Sequence, residues 1–311
     1  MIKHYISTHT SSQTMIDDLF VNMFSSLESY IKIPLPEEEL FNRTSEFQDP
    51  SQIKSKLTLT SSGSGILRMI SHALSLQDSS YSVSYIGESA KSDPQITYFI
   101  DNSQKNILLF NKIAEQVHLS GTKSLLPLDF RLGAIRQDIL PARSYVADST
   151  YLFFNINALK WSDAPAQTGN NPSGLTTEQA NQLAFMAGQS HKNKYFILYG
   201  FDNPDRDPHG ITLNTAVQIL WYYQYGATVK AQAWPIPEEH QQDFMIETSL
   251  ASYNLLFRKD RLTNQWFHKI PFEVTPQQTQ HQWIASSHEE YLASANEDLP
   301  PRLLAWYDSL E

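Results

Sequence analysis

The chain has no cysteine, so disulfide bonds and thiolate metal ligands are excluded. It also has no apolar run near the ~20 residues that a transmembrane helix needs. The first ten residues lack the apolar core and cleavage site of a signal peptide. Internal repeats and low-complexity tracts are missing as well. These features predict a cytoplasmic protein with no membrane insertion.

Basic residues are in the minority. The chain has 23 Lys and Arg against 33 Asp and Glu, which gives a net charge of −10 and a pI near 5.4. An acidic protein is repelled by nucleic acid and by anionic membrane surfaces, so neither is expected as the main partner. The 311 residues are 41% hydrophobic, enough for one large α/β domain or two modest ones.

The stretch around which the chain is organised begins with a short apolar run at 151–156, Tyr-Leu-Phe-Phe-Asn-Ile. Such a run is typical of a strand buried on both faces of a parallel sheet. Asn155 and Asn157 follow at its carboxyl end, two residues apart, and we expect both side chains to point the same way. Ligands of open α/β sheets bind at this end of the strands. A loop and a helix start signal at Thr176-Thr177-Glu178 come next.

Buried strands and helices alternate along the middle of the chain, which predicts a three-layer α/β/α sandwich with a mostly parallel sheet. We expect one compact domain with three parts: an N-terminal helix and linker at 1–56, an α/β core at 57–233, and a C-terminal β-hairpin extension at 234–311. The predicted strands are 57–60, 81–87, 151–156, 194–200, 244–257 and 265–270; the predicted helices are 14–32, 66–76, 178–188 and 212–225.

Three segments leave a choice between a binding role and a structural one. The turn at 61–65 can hold an anion at a helix N-terminus, although it has no P-loop lysine. Arg131 and Arg136 can bind a carboxylate, or they are helix-surface residues. The acidic segment at 202–209, which ends in His209, can bind a metal, or it forms a solvated turn paired with its own arginine.

The strand and loop at 151–177 resemble the signature of the ureohydrolase family, which includes arginase, agmatinase and formimidoylglutamase. In that family a strand reading S-F-D-x-D leads into a loop ending P-x-G-L-T, seen here as Asn171-Pro172-Ser173-Gly174-Leu175-Thr176. Further segments at 203–207 and 212–225 resemble the same family, and those at 130–136 and 147–150 are similar to a formimidoylglutamase-like branch common in Bacteroidota. The resemblance implies an arginase-type fold and, for the family, two manganese ions that activate a bridging hydroxide.

The residues that would bind those ions differ in this chain. The two signature aspartates fall on Asn155 and Asn157. The family's D-A-H-x-D segment corresponds to 87–93, which has Glu88 and Lys91 but no histidine, and the turn at 61–65 also has none. Neutral amides hold divalent cations weakly, so no cofactor and no assembled metal centre is expected.

Three functions remain open on these residues. The first is a non-catalytic ureohydrolase-fold protein that acts by binding or assembly with a protein partner or as a homo-oligomer. The second is an enzyme with altered chemistry in the pocket where the family binds its metal ions. The third is a residual single-metal hydrolase of linear amidines. The pocket residues that we predict are Asn155, Asn157, Asp163, Arg136 and His209, with no catalytic residue among them. The aromatic tail, 266–272 and 303–307, is expected either to cover the core or to form an interface.

Overall fold

The computed structural model describes residues 3–7, 30–32, 57–61, 80–103, 106–116, 129–201, 203–230, 235–249 and 253–310. Its main sheet has eight strands, all parallel, in the order β2-β1-β3-β8-β7-β4-β5-β6. The strands are β1 (Lys3–Ser7), β2 (Tyr30–Lys32), β3 (Leu57–Ser61), β4 (Tyr81–Ile86), β5 (Ile107–Ile113), β6 (Asp129–Phe130), β7 (Tyr151–Asn155) and β8 (Tyr195–Tyr199).

Helices cover both faces of this sheet, as the alternating pattern predicts. One face packs against α1 (Pro94–Ser103) through Ile96 and Phe99. The other packs against four helices: α2 (Leu132–Gln137), α3 (Ala142–Ala147), α4 (Thr177–Gly188) and α5 (Ile211–Lys230). Successive side chains of β7 alternate between the two cores, and every residue of β7 is buried. The three-layer α/β/α sandwich is therefore confirmed.

The N-terminal segment differs from its prediction. Residues 30–32 form strand β2 beside β1, although the sequence predicts a helix through residue 32. A segment of three residues is too short to be assigned by periodicity, and the strand is decided by its pairing with β1. Strand β1 is not predicted at all. The remainder of the predicted helix at 14–32 and the predicted helix at 66–76 lie outside the described residues.

The C-terminal part forms a second, antiparallel sheet of four strands in the order β12-β11-β10-β9. These are β9 (Gln241–Ile246), β10 (Leu255–Asp260), β11 (Trp266–Lys269) and β12 (Trp283–Ser286), followed by α6 (His288–Ala295) and α7 (Pro301–Leu310). The predicted hairpin exists as β10–β11, but the single strand predicted at 244–257 is wrong. The predicted range contains the end of β9 and the start of β10, and the apolar pattern does not show the break between these two strands.

The aromatic tail covers the molecule's own core. Leu303, Trp306 and Tyr307 of α7 are buried in one cluster with the inner face of the second sheet and with Leu109 of β5. A buried ionic network joins the two sheets at the same place. Arg302 is 1% exposed and binds both Asp148, after α3, and Glu290 of α6. In the part of the chain that the structure describes, no helix is long and apolar enough to cross a membrane.

Candidate functional site

The candidate site lies at the carboxyl ends of β4 and β7, which are neighbours in the sheet. The chain leaving β4 passes through α1 to β5, whereas the chain leaving β7 passes through α4 to β8 on the opposite face. The loops after β4 and β7 therefore diverge and leave a crevice between them. Open α/β sheets bind their ligands at such a crossing point.

Asp93 is the centre of this crevice and is 5% exposed. Its Oδ2 accepts hydrogen bonds from the Asn155 side-chain amide at 2.6 Å and from the Tyr199 hydroxyl at 2.7 Å. Its Oδ1 accepts from the backbone N–H of Gln95 at 2.8 Å and of Ile96 at 3.4 Å, at the start of α1. Both carboxylate oxygens are therefore occupied by donors from the protein itself.

Two tyrosines close the crevice beneath Asp93. Burial raises the pKa of the Tyr85 hydroxyl well above its usual value, and the charge of Asp93 raises it further. Burial and the same charge likewise raise the pKa of Tyr199. Both phenols thus keep their protons. The Tyr199 hydroxyl donates to Asp93 at 2.7 Å and stabilises its carboxylate without a cation, whereas the Tyr85 hydroxyl donates to the Ser89 carbonyl oxygen at 3.3 Å.

Asn155 is the last residue of β7, and Asn157 lies in the 3₁₀ turn that follows it. The Asn155 side-chain oxygen accepts the backbone N–H of Asn157 at 2.9 Å. The Asn157 side chain exchanges two hydrogen bonds with Thr168, at 2.8 and 3.3 Å. We expected the alternation of a β-strand to point the two side chains the same way, but β7 ends at Asn155. Both side chains still line the crevice, Asn155 from the end of the strand and Asn157 from the 3₁₀ turn.

Gly200, directly after β8, must be a glycine. Its φ is +98°, and a Cβ atom placed there would lie 2.2 Å from the Asn155 side-chain oxygen. Any larger residue at 200 would displace the Asn155 side chain from its hydrogen bonds.

A cavity of about 180 Å³ opens above these residues. Its lining residues are Tyr85, Glu88, Ser89, Ser92, Asp93, Pro94, Gln95, Asn155, Asn157, Thr168, Tyr199 and Gly200. Glu88 stands near the rim, where its carboxylate accepts a hydrogen bond from Asn171 at 3.3 Å. Among these lining residues there are two carboxylates and no Lys, Arg or His, so the cavity favours a small cation or a neutral polar molecule over an anion.

The structure does not bring the five predicted pocket residues together. Asn155 and Asn157 line the cavity, and the other three do not. Asp163 accepts the backbone N–H of Thr177 at 2.9 Å and so helps to cap α4. Arg136 is exposed at the end of α2, and His209 is exposed in the turn before α5. Their separation arises because each lies on a different loop or helix end.

The acidic turn before α5 has a structural role in the residues that the structure describes. Asp207 accepts the backbone N–H groups of Ile211 and Thr212 at 2.9 and 2.6 Å, as a helix cap does. Arg206 donates to the backbone oxygens of Gln167 and Thr168 at 3.2 and 3.3 Å and so holds the loop at the rim of the cavity. Asp202 lies outside the described residues.

Sequence reasoning missed Asp93, Tyr85 and Tyr199 as members of the site. One signal for Asp93 was available, because an Asp followed by Pro94 at the first position of a helix is a common N-cap pattern. No local pattern marks the two tyrosines. Their hydroxyls meet Asp93 only because β4 and β8 end at the same edge of the sheet.

Comparison with solved structures gives the class of fold. Trypanosoma cruzi formiminoglutamase with Mn²⁺ matches at 13% identity and a TM-score of 0.57, over 73% of this chain and 94% of that chain. Arginases from Bacillus subtilis and Bacillus cereus match at 10% identity, with TM-scores of 0.54 and 0.53, over 72% of this chain and 98% of theirs. This chain therefore has the arginase-type ureohydrolase fold. No family model and no curated protein matches its sequence.

The residues described at the strand ends do not fit a pair of divalent cations. Such ions require several anionic or imidazole ligands at fixed distances. The central carboxylate, Asp93, already accepts four hydrogen bonds, and Asn155 and Asn157 supply only amides. Within the described ranges no group of three His, Cys, Asp or Glu is placed to hold a metal ion. His72 and His118 belong to 62–79 and 117–128, outside those ranges.

Proposed function

We propose that this chain is a non-catalytic ureohydrolase-fold protein that acts by binding. Its strand-end cavity takes a small organic cation in place of a binuclear metal centre. The observation that carries the proposal is the hydrogen-bonded cluster around Asp93. Donors from Asn155, Tyr199 and the first turn of α1 stabilise the carboxylate where metal ions would otherwise be needed.

The chemistry of hydrolysis supports the first part of the proposal. Cleavage of an amidine by water needs a strong nucleophile, and a metal supplies one by lowering the pKa of bound water from 15.7 to about 7. A side chain that replaces the metal would have to act as a general base. The two phenols of the crevice keep their protons, and Asp93 is saturated with donors, so neither kind of group is available to accept a proton from water. The other lining carboxylate, Glu88, has one hydrogen bond, from Asn171, and we assign it to binding the cation.

The cavity itself supports the second part. Its volume of about 180 Å³ fits a group of a few heavy atoms, and Glu88 is the lining carboxylate with the fewest hydrogen bonds, one from Asn171. The cytoplasmic location and the narrower relation to a formimidoylglutamase-like branch stay predictions.

Manganese binding tests the first part of the proposal. Isothermal titration of the full chain with Mn²⁺ should give no tight sites, and incubation with guanidino and formimino compounds plus Mn²⁺ should release neither urea nor formamide. Two tight Mn²⁺ sites together with product release would overturn the proposal in favour of the alternative, a metal-dependent hydrolase of linear amidines.

A pair of isosteric probes tests the second part. Methylguanidinium should raise the melting temperature of the protein in a saturable way, whereas neutral methylurea should not. The variant Glu88→Gln should lose this response and keep the parent's melting temperature without ligand, because Glu88 is only partly buried. An equal response to both probes, or an unchanged response in the variant, contradicts a cation site at Glu88.

A further inference from the structure

Helix α5 has an exposed stripe whose spacing matches the seam of a helix pair. Exposed or half-buried residues recur at alternating intervals of three and four; they are Ile211, Asn214, Gln218, Trp221, Tyr225 and Thr228. This is the a/d spacing with which two helices pack along each other at about 20°. On the inner side of α5, Val217, Leu220 and Tyr223 are buried against the sheet. The stripe lies on the other side of the helix from these buried residues.

The stripe is aromatic at its carboxyl-terminal half. Trp221 and Tyr225 are stacked with ring centroids 5.2 Å apart, and Phe185 of α4 lies 5.7 Å from Tyr225. These rings stand on the outside because α4 and α5 cross with almost no space between them. A Cβ at Gly188 would lie 2.0 Å from the Tyr223 carbonyl oxygen, and one at Gly226 would lie 2.2 Å from that of Phe185.

The charge of this surface identifies its partner. Helix α5 is 20 residues long and has no Asp, Glu, Lys or Arg before its last residue, in a chain of net charge −10. Two copies of an acidic protein repel each other, and they can approach most closely where neither carries charge. A basic partner would instead bind to the acidic parts of the surface outside α5.

The stripe also contains an amide side chain that can form hydrogen bonds with the same residue of a second copy. Gln218 carries an amide with a donor and an acceptor, and its oxygen already accepts from Asn181 at 3.3 Å. Its NH2 group can donate to the oxygen of the same residue in a second copy, so the two Gln218 side chains can hydrogen-bond across a two-fold axis that passes near them. Carboxylates or ammonium groups cannot do this. An interface that places one patch against its own copy is what two-fold symmetry requires.

We propose that the α5 stripe is the interface of a homodimer, in which the α5 helices of two copies pack antiparallel about a two-fold axis near Gln218 and Trp221. This surface is separate from the strand-end cavity, and the proposal does not depend on what the cavity binds.

An isosteric charge change tests this interface. Sedimentation equilibrium of the full chain should give a dimer whose association strengthens with added salt, because salt screens the repulsion between two acidic copies. The variant Gln218→Glu should dimerise at least tenfold more weakly, since it brings two carboxylates together at the axis. The control Asn102→Asp makes the same charge change on exposed α1, on the opposite side of the sheet, and should dimerise like the parent.

A cross-link gives an independent measurement. Because the chain has no cysteine, Gln218→Cys introduces a single thiol near the proposed axis, and oxidation should join two chains. Tyr98→Cys on α1, where the tyrosine is 37% exposed, should not cross-link under the same conditions. A monomeric parent, an unaffected Gln218→Glu dimer, or equal cross-linking of the two cysteine variants would each overturn the proposal.

Discussion

Asn155 shows how one residue alters the chemistry of a strand end. Its amide nitrogen donates to Asp93 and its oxygen accepts from Asn157, so both ends of the side chain are fixed. An aspartate of almost the same shape would keep the acceptor and lose the donor. It would then place a second carboxylate 2.6 Å from the first. The amide is therefore the form that this crevice tolerates without a cation.

The variant Asn155→Asp should lower the free energy of unfolding by about 1–3 kcal/mol near neutral pH. Repulsion and burial raise the pKa of the carboxylate pair above the value of an unfolded aspartate, about 3.9. Stability is thus lost as the pH rises above about 4, and lowering the pH should recover part of it. Urea denaturation at several pH values measures the effect.

Asn157→Asp is the matched control for that experiment. Asn157 is only half-buried, and its partner Thr168 is exposed, so the variant should unfold within about 0.5 kcal/mol of the parent. If Mn²⁺ restored the stability of Asn155→Asp in full, metal ligands would have to exist beyond the residues described at the crevice.

At the scale of the elements, the ion pairs of one buried arginine connect the second sheet to the first. Arg302 of α7 binds Asp148 at 2.6 Å and Glu290 at 2.7 Å, and Lys192 binds the other oxygen of Asp148 at 2.9 Å. Burial alone would raise the pKa of Asp148, but the charges of Lys192 and Arg302 outweigh it and lower that pKa. The network is fully paired, and the removal of one member leaves a buried charge without its partner.

Arg302→Met should therefore destabilise the protein by about 3–5 kcal/mol, the typical cost of breaking a buried ion pair. Arg258→Met provides the comparison, because Arg258 binds Asp243 with similar geometry but both side chains are partly exposed, at 21% and 42%. That change should cost about 0–1 kcal/mol. Chemical denaturation of both variants measures the two losses in free energy of unfolding. Equal losses would contradict the view that burial makes the Arg302 ion pairs more important for stability.

For the whole molecule, two buried histidines make stability depend on pH. Burial lowers the pKa of His268 to about 3, and the same is true of His281. His268 remains neutral between the Leu256 carbonyl oxygen at 3.1 Å and the Tyr307 hydroxyl at 2.5 Å. The carbonyl can only accept, so Nδ1 carries the proton and Nε2 accepts from the tyrosine.

The unfolded chain protonates these histidines near pH 6.5, but the folded chain does so only near 3. Between these values the unfolded state binds more protons, so stability should fall as the pH is lowered. Melting temperatures should drop steadily from about pH 6.5 to 4. His268→Gln should flatten this slope, whereas His209→Gln, which changes an exposed histidine, should leave it unchanged. An equal slope in both variants would contradict the assignment.

The sequence determined the layers of this protein and the position of its crevice. The short aromatic and apolar segments at 81–86 and 151–155 are predicted as strands and form buried strands, and Thr176 with Gln179 forms the capping box that starts α4. Those patterns are local, since each depends on neighbours within a few residues. The local pattern of β7 also places Asn155 and Asn157 at the carboxyl end of a strand, which is the edge of the sheet where ligands bind.

Only the tertiary structure decided how that edge is stabilised. Asp93 meets Asn155 across 62 residues of chain and Tyr199 across 106, and no spacing in the sequence relates residues so far apart. The separation of Asp163, Arg136 and His209 from the cavity, and the joining of the two sheets by Arg302, are decided in the same way. The parallel sheet brings strand ends together in the order β8-β7-β4, whereas the chain visits them in the order β4, β7, β8.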